Sequence, residues 1–225
     1  MKNIALILGL IAMVGCSEQK TDEIATNTQY IQNWEEANER EFTPGSSFEL
    51  LYGGELILIE NEGDEEEVHS IQSVTRQEED VLFTAKKIPT VLYLKNQGLE
   101  GERLETALTE LENEQLFYFD FADELKQDIL KKNFKEGYEE AVSYLAFGVE
   151  NDFQLISGVD TLKSNYAQYE RTFHLAPYER VLVSFSGANF TEDFELIYND
   201  ILFNKGRIDF QFAPESLLTQ NSDPS

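Results

Sequence analysis

Two short runs hold the residues best placed to do chemistry, Tyr169-Glu170-Arg171 and Pro177-Tyr178-Glu179-Arg180. Lys and Arg number only 17 in 225 residues, against 43 Asp and Glu, so each arginine here is a scarce cation set among glutamates and tyrosines. On neighbouring strands these residue types allow two readings. One is a cross-strand ion pair with aromatic stems packed beside it. The other is a small polar-aromatic ligand patch built on Arg171, Tyr178 and Arg180. Other chemistries have less to draw on. The two histidines, His69 and His174, fall on separate predicted strands, and a closed zinc site would need carboxylates to complete it. No metal or other cofactor is therefore expected. No Gly-x-Ser-x-Gly elbow is present, and Ser184-Phe185-Ser186-Gly187 reads as a strand end. Glycine-rich phosphate loops are missing too, which disfavours nucleotide binding. The acidic run Glu62–Glu67 lacks the alternating register that points oxygens at one calcium ion, and reads as solvated charge. A carboxylate pair of the glycosidase kind can be drawn almost anywhere among 43 acids, so that abundance carries no signal.

The only cysteine is Cys16, and its setting is specific. Met1-Lys2-Asn3 is a short positive start, Ile4 to Val14 is apolar, and Gly15 is small. This is the layout of a secretory leader. The apolar run is shorter than the roughly 20 residues that span a bilayer. Met13-Val14-Gly15-Cys16 resembles the lipobox of lipoprotein signal peptides, although Met13 stands where Leu, Val or Ile is commoner. The resemblance implies cleavage after Gly15 and attachment of palmitate-type acyl chains to Cys16. Ser17 after the cysteine favours sorting to the outer membrane over retention at the inner one. Loss of residues 1–15 leaves 210 residues with no other thiol. Disulfides within the chain are then impossible, and stability must come from an apolar core.

Composition bounds the partners. The formal net charge is −26, and −27 once Lys2 is removed with the leader. That sign repels nucleic acid phosphates, so no nucleic acid partner is expected. It also opposes adsorption to anionic headgroups, so the acyl chains must hold the protein to the membrane. Solubility is the simplest use of such a charge; cationic partners or loosely held calcium are others. Hydrophobic residues make up 41% of the chain, which fits a globular protein.

The elements that would position these residues are mostly strands. The expected organisation is a leader at 1–15, a tether with a short helix at 16–43, a folded β-rich domain at 44–214 and a polar tail at 215–225. Residues 17–29 are polar, and Tyr30, Ile31, Trp34 and Ala37 fall at helical spacing, with Trp34 docking that helix on the domain. Gly53-Gly54 between two apolar runs predicts a hairpin, and Asn61 to Glu67 a solvated turn. Strands are predicted at Val68–Thr75, Val81–Thr84, Thr90–Leu94 and Leu116–Phe121. Leu104, Ala107, Leu108 and Leu111 predict an amphipathic helix over Glu102–Asn113, with its leucines buried on the sheet. Leu125, Ile129 and Lys132 to Phe134 suggest another short helix. From Val142 the pattern is β-like, with strands at Tyr144–Val149, Phe153–Ile156, Asp160–Lys163, Tyr169–Leu175, Arg180–Ser186, Phe194–Tyr198 and Arg207–Phe212. Ile208, Phe210 and Phe212 alternate with Asp209 and Gln211, giving one buried and one wet face. The expected fold class is α+β, mainly β, with an antiparallel sandwich-like C-terminal half and two or three short helices.

Asp160-Thr161-Leu162, Tyr169-Glu170-Arg171-Thr172-Phe173 and Leu175-Ala176-Pro177-Tyr178, together with the lipobox, resemble a group of uncharacterised envelope lipoproteins of Bacteroidota. The similarity covers roughly residues 140–212 and implies a Gram-negative envelope location. It brings no activity and no catalytic residues. The expectation is a lipid-anchored envelope protein with a non-catalytic binding or structural role, its partner an envelope protein or glycan. The alternative is an envelope hydrolase acting on glycan or peptide through a carboxylate pair. A concave pocket holding two carboxylates would favour the alternative.

Overall fold

Alternation of apolar and polar residues along successive strands builds two sheets that share one core. The computed structural model describes residues 29–31, 47–52, 55–64, 67–172, 176–187 and 193–214. The leader, Cys16, Trp34, Gly53-Gly54, His174 and the tail at 215–225 lie outside these residues. The first sheet has eight strands. In chain order these are β1 (Gln29–Ile31), β2 (Ser47–Tyr52), β3 (Glu55–Asp64), β4 (Glu67–Glu78), β5 (Val81–Ile88), β6 (Glu114–Asp123), β9 (Tyr166–Glu170) and β10 (Tyr178–Ser186). Their spatial order is β1-β2-β3-β4-β5-β6-β10-β9. The second sheet takes β7 (Phe153–Ser157), β8 (Asp160–Lys163), β11 (Phe194–Asp200) and β12 (Gly206–Phe212) in the order β12-β11-β7-β8. All pairings are antiparallel except that of β1 with β2. The class is α+β, mainly β, and sandwich-like.

The inner faces meet in an aromatic core. Phe117, Phe119 and Phe121 of β6 point inward at alternate positions and are fully buried. Phe119 touches the rings of Phe153, Tyr198 and Phe210 at centroid separations of 5.0, 4.7 and 5.5 Å. Phe194 and Phe212 stack at 5.2 Å on paired strands, and Ile208, Phe210 and Phe212 all face inward as the alternation predicts. Polar bonds also cross between the layers. The Gln72 amide donates to the Ala213 carbonyl at 3.1 Å, and Arg76 Nε to the Asp209 carbonyl at 2.9 Å.

Four α-helices lie among the described residues: α1 (Thr90–Asn96), α2 (Gly101–Glu110), α3 (Ile129–Asn133) and α4 (Tyr138–Phe147), with a 3₁₀ turn at Val149–Asp152. None is long and apolar enough to cross a membrane. Several expectations need correction. Thr90–Leu94 is helical, not a strand. Pro89 opens it with φ −58°, its carbonyl accepts from Tyr93 N–H, and Gly98 at φ +77° stops it. Tyr144–Val149 is likewise helical: Tyr138, Ala141, Val142 and Leu145 fall at i, i+3, i+4 and i+7, with Ala141 and Leu145 buried. Tyr30 and Ile31 belong to β1, paired with β2, and not to a helix, while Trp34 and Ala37 of the expected helix lie outside the described residues. The hairpin of β3 and β4 runs on through Asn61, which is 1% exposed, so the solvated turn is far shorter than Asn61–Glu67. Strand β9 starts at Tyr166 and ends at Glu170, not Tyr169–Leu175. Helix α2 forms as expected, but Leu104, Leu108 and Leu111 are only half-buried, because it packs chiefly on α1 rather than on the sheet.

Candidate functional site

The side of the eight-stranded sheet turned away from the core carries the candidate site. In β6, the inward Phe117, Phe119 and Phe121 leave Tyr118 and Asp120 pointing outward. In β10, inward Val181 and Val183 leave Arg180 and Leu182 outward. In β9, Ala167 and Tyr169 pack on the core and leave Tyr166, Gln168 and Glu170 outward. The ladder aligns Thr84, Asp120, Arg180 and Glu170 across β5, β6, β10 and β9. The adjacent row is Lys86, Tyr118, Leu182 and Gln168.

Arg180 is the centre of this face. Its Nε donates to Asp120 Oδ1 at 2.6 Å and its Nη2 to Oδ2 at 2.8 Å, a bidentate fork across two strands. The guanidinium carbon lies 4.3 Å from the Tyr118 ring centroid and 4.7 Å from that of Tyr178. The side chains of Arg180 and Asp120 are 20% and 10% exposed. Burial pulls on Arg180, yet the bond to Asp120 outweighs it and raises the guanidinium further above its ordinary value. Burial pushes Tyr118 up to about 12. Opposite Arg180 on the edge strand, burial raises the Glu170 carboxyl above its usual range, with Arg180 opposing the shift. Glu170 accepts no hydrogen bond from any described residue. Helix α1 bounds the face: Leu94 is buried, and Tyr93 meets Tyr118 edge-on with centroids 6.4 Å apart.

The structure therefore joins Tyr178 and Arg180 and separates Arg171 from them. Arg171 is exposed and turns to α4, where Nη2 donates to the Tyr138 hydroxyl at 3.2 Å. Glu179 faces the core and accepts from Tyr169 at 2.5 Å, so neither neighbouring glutamate pairs with Arg180. Tyr93, Tyr118, Asp120 and Glu170 take the vacant roles. Alternation against the three phenylalanines of β6 would have placed Tyr118 and Asp120 on this face; nothing in the sequence would have brought Tyr93 over it.

Three other polar groupings are structural. Glu114 accepts from Ser184, Ser186 and Asn165; burial raises its carboxyl, but these bonds outweigh burial and hold it low. The serines of Ser184-Phe185-Ser186 are thus clamps on a strand end. Lys132 joins Asp80 to Asp123 and fastens α3 to the sheet. Asp200 acts electrostatically on Asp152, but the two are 3% and 4% exposed, out of reach of glycan or peptide. Tyr144 donates to Asp152, and Asp200 ties down the turn after β11 through Phe203 and Lys205 N–H. A Cβ at Gly148 would lie 2.9 Å from the Tyr144 ring, so glycine lets that ring fold back toward Asp152. His69 sits half-buried on β4 opposite Glu62. Among the described residues no three His, Cys, Asp or Glu side chains are grouped to hold a metal.

Compared with protein-family models, with curated proteins and with solved structures, the chain gives no match in any of the three.

Proposed function

We propose that this chain is a binding protein of the bacterial cell envelope, non-catalytic and held at the outer membrane by acyl chains on Cys16. The anchor rests on the leader and lipobox. The binding role rests on one observation: a guanidinium fixed by Asp120 between Tyr118 and Tyr178 on the outward side of the sheet. Rigid aromatic and arginine side chains of this kind are typical anchors of recognition surfaces. Catalysis by a carboxylate pair is disfavoured by the burial of Asp152 and Asp200. The partner is an envelope protein or a glycan.

Affinity recovery of partners from solubilised envelope by the tagged, acylated chain tests this reading. Recovery by the wild-type protein and its loss with Tyr178→Ala is the expected result. Equal recovery by both forms would remove the outer face from the function.

A further inference from the structure

We propose that the outer face of β5, β6, β10 and β9 binds a neutral saccharide, with Arg180 and Glu170 sharing a ligand hydroxyl. The proposal rests on the binding-protein reading above and names the ligand class for the same site.

Charge comes first. Across the two aligned rows the charged side chains are Lys86, Asp120, Arg180 and Glu170, two cations and two anions. This face is locally balanced in a chain of net charge −26. An anionic ligand would approach against the field of the whole protein. A cationic ligand would find Asp120 already engaged by Arg180 and would lie beside the guanidinium. A neutral polar ligand meets neither cost.

Hydrogen-bonding capacity narrows the class. Arg180 commits Nε and Nη2 to Asp120, and its Nη1 makes no hydrogen bond to a described residue. Glu170 lies directly across the ladder and accepts none. A donor and an acceptor therefore stand side by side without satisfying each other. An ammonium group only donates and a carboxylate only accepts, whereas a hydroxyl does both. One hydroxyl can accept from Arg180 and donate to Glu170. The hydroxyls of Tyr93, Tyr118 and Tyr178, which bond to no described residue, offer further positions for a ligand with several hydroxyls. Glu170 is raised by desolvation, so a donor at its carboxylate is worth more than it would be in water.

Shape supplies the apolar complement. Tyr166 is 45% exposed on the same face of β9 as Glu170, with Gln168 between them along the strand, and Tyr93 meets Tyr118 edge-on from α1. A pyranose presents a patch of C–H groups on one face and hydroxyls around its rim. Such a ring can lie against tyrosine while its rim meets Arg180 and Glu170.

The test is isothermal titration calorimetry on the full acylated chain in a polyoxyethylene detergent, which carries neither sugar nor charge. The neutral probes are tetrasaccharides of glucose, mannose and N-acetylglucosamine. Tetragalacturonate serves as the anionic probe and spermidine as the cationic one. The expected result is saturable binding of at least one neutral tetrasaccharide, and no binding of the charged probes. Kd should rise at least tenfold in both Glu170→Ala and Tyr166→Ala. Thermal melting of each variant is recorded alongside. Should Glu170→Ala melt early, the exposed Tyr166→Ala decides. Failure of all three neutral probes, an unchanged Kd in both variants, or preference for either charged probe would overturn the proposal. If sugars fail while envelope recovery remains sensitive to Tyr178→Ala, the saccharide falls and the binding-protein reading stands. If both fail, both fall.

Discussion

Replacing Asp120 by alanine should destabilise the protein by about 2–3 kcal/mol. Breaking one side of a buried, hydrogen-bonded ion pair costs about 3–5 kcal/mol, because the surviving charge is left uncompensated. Here the survivor is Arg180, whose side chain is 20% exposed, so water recovers part of the loss. Its contacts with Tyr118 and Tyr178 survive and retain about 0.5–1 kcal/mol each. Both considerations place the cost below the full range. The double variant Asp120→Leu/Arg180→Met should behave differently. It removes both charges and fills similar volume, so its stability should lie within about 1 kcal/mol of the wild type. Urea unfolding followed by circular dichroism measures both. With a slope of about 2 kcal/mol/M, the single variant should move the midpoint by about 1–1.5 M and the double variant by far less. A single-variant loss under about 0.5 kcal/mol would mean that the pair is effectively solvated. A double variant as unstable as the single would mean that the cost lies in packing and not in stranded charge. Because the double variant keeps the fold and removes the guanidinium, it also separates stability from recognition at this face.

Further outcomes follow from other parts of the chain. Cys16→Ser should abolish labelling by a palmitate analogue and release the protein from the membrane fraction; unchanged labelling and fractionation would refute acylation at that residue. The chain from about Phe42 to Phe212 should melt in one calorimetric transition, since β6 and β10 are paired neighbours in a single sheet; two separated transitions with a protease-stable fragment beginning near Ala141 would contradict this. Burial, reinforced by Asp200 and opposed by the Tyr144 hydrogen bond, raises the Asp152 carboxyl in the fold above its ordinary value. The folded state therefore holds that proton more tightly than the unfolded one, and the ionised carboxylate costs stability at neutral pH, a cost relieved as pH falls through the folded value. Asp152→Asn should be at least as stable as the wild type at pH 7, with any advantage fading toward about pH 4 in denaturation midpoints; an advantage that grows with acid would reverse the assignment. Leu108→Ala on the half-buried stripe of α2 should cost about 1 kcal/mol, short of the 2–5 kcal/mol of a fully buried leucine.

The strands were legible where one face is dry and the other wet. Ile208, Phe210 and Phe212 declare their inner side by alternation alone, and Asp160–Lys163 has the bounds that its turns imply. The misread segments are short apolar runs in which helix and strand periods cannot be told apart. Val91 to Leu94 is such a run, and only Pro89 before it and Gly98 after it mark the helix. Val142 to Phe147 carries the residue types of a strand, yet its burial follows the period set by Tyr138 and Ala141. At the candidate site, Tyr178 and Arg180 stood out because cations are scarce in this chain. Their partner did not, because Asp120 is 60 residues away in sequence and becomes adjacent only through the β6–β10 ladder. Proximity in the chain groups Arg171 with them, but strand β9 ends at Glu170 and the arginine turns to Tyr138.

The pairing of β6 with β10 has a bearing on how the protein is made. Until Tyr178–Ser186 has been delivered, the far side of β6 has no ladder partner, and the run Leu116-Phe117-Tyr118-Phe119 lies along an open edge. Closing the sandwich also requires Gln72 to find Ala213, 141 positions later. Contacts so distant in sequence close slowly. For that interval the most aromatic of the described strands is a template for pairing with another copy. A chain made in order from its N-terminus exposes this edge for the time taken to deliver roughly sixty further residues. The excess of acidic residues, 43 Asp and Glu against 17 Lys and Arg over the whole chain, then has a role before folding as well as after it, keeping unfinished copies apart while the edge is open.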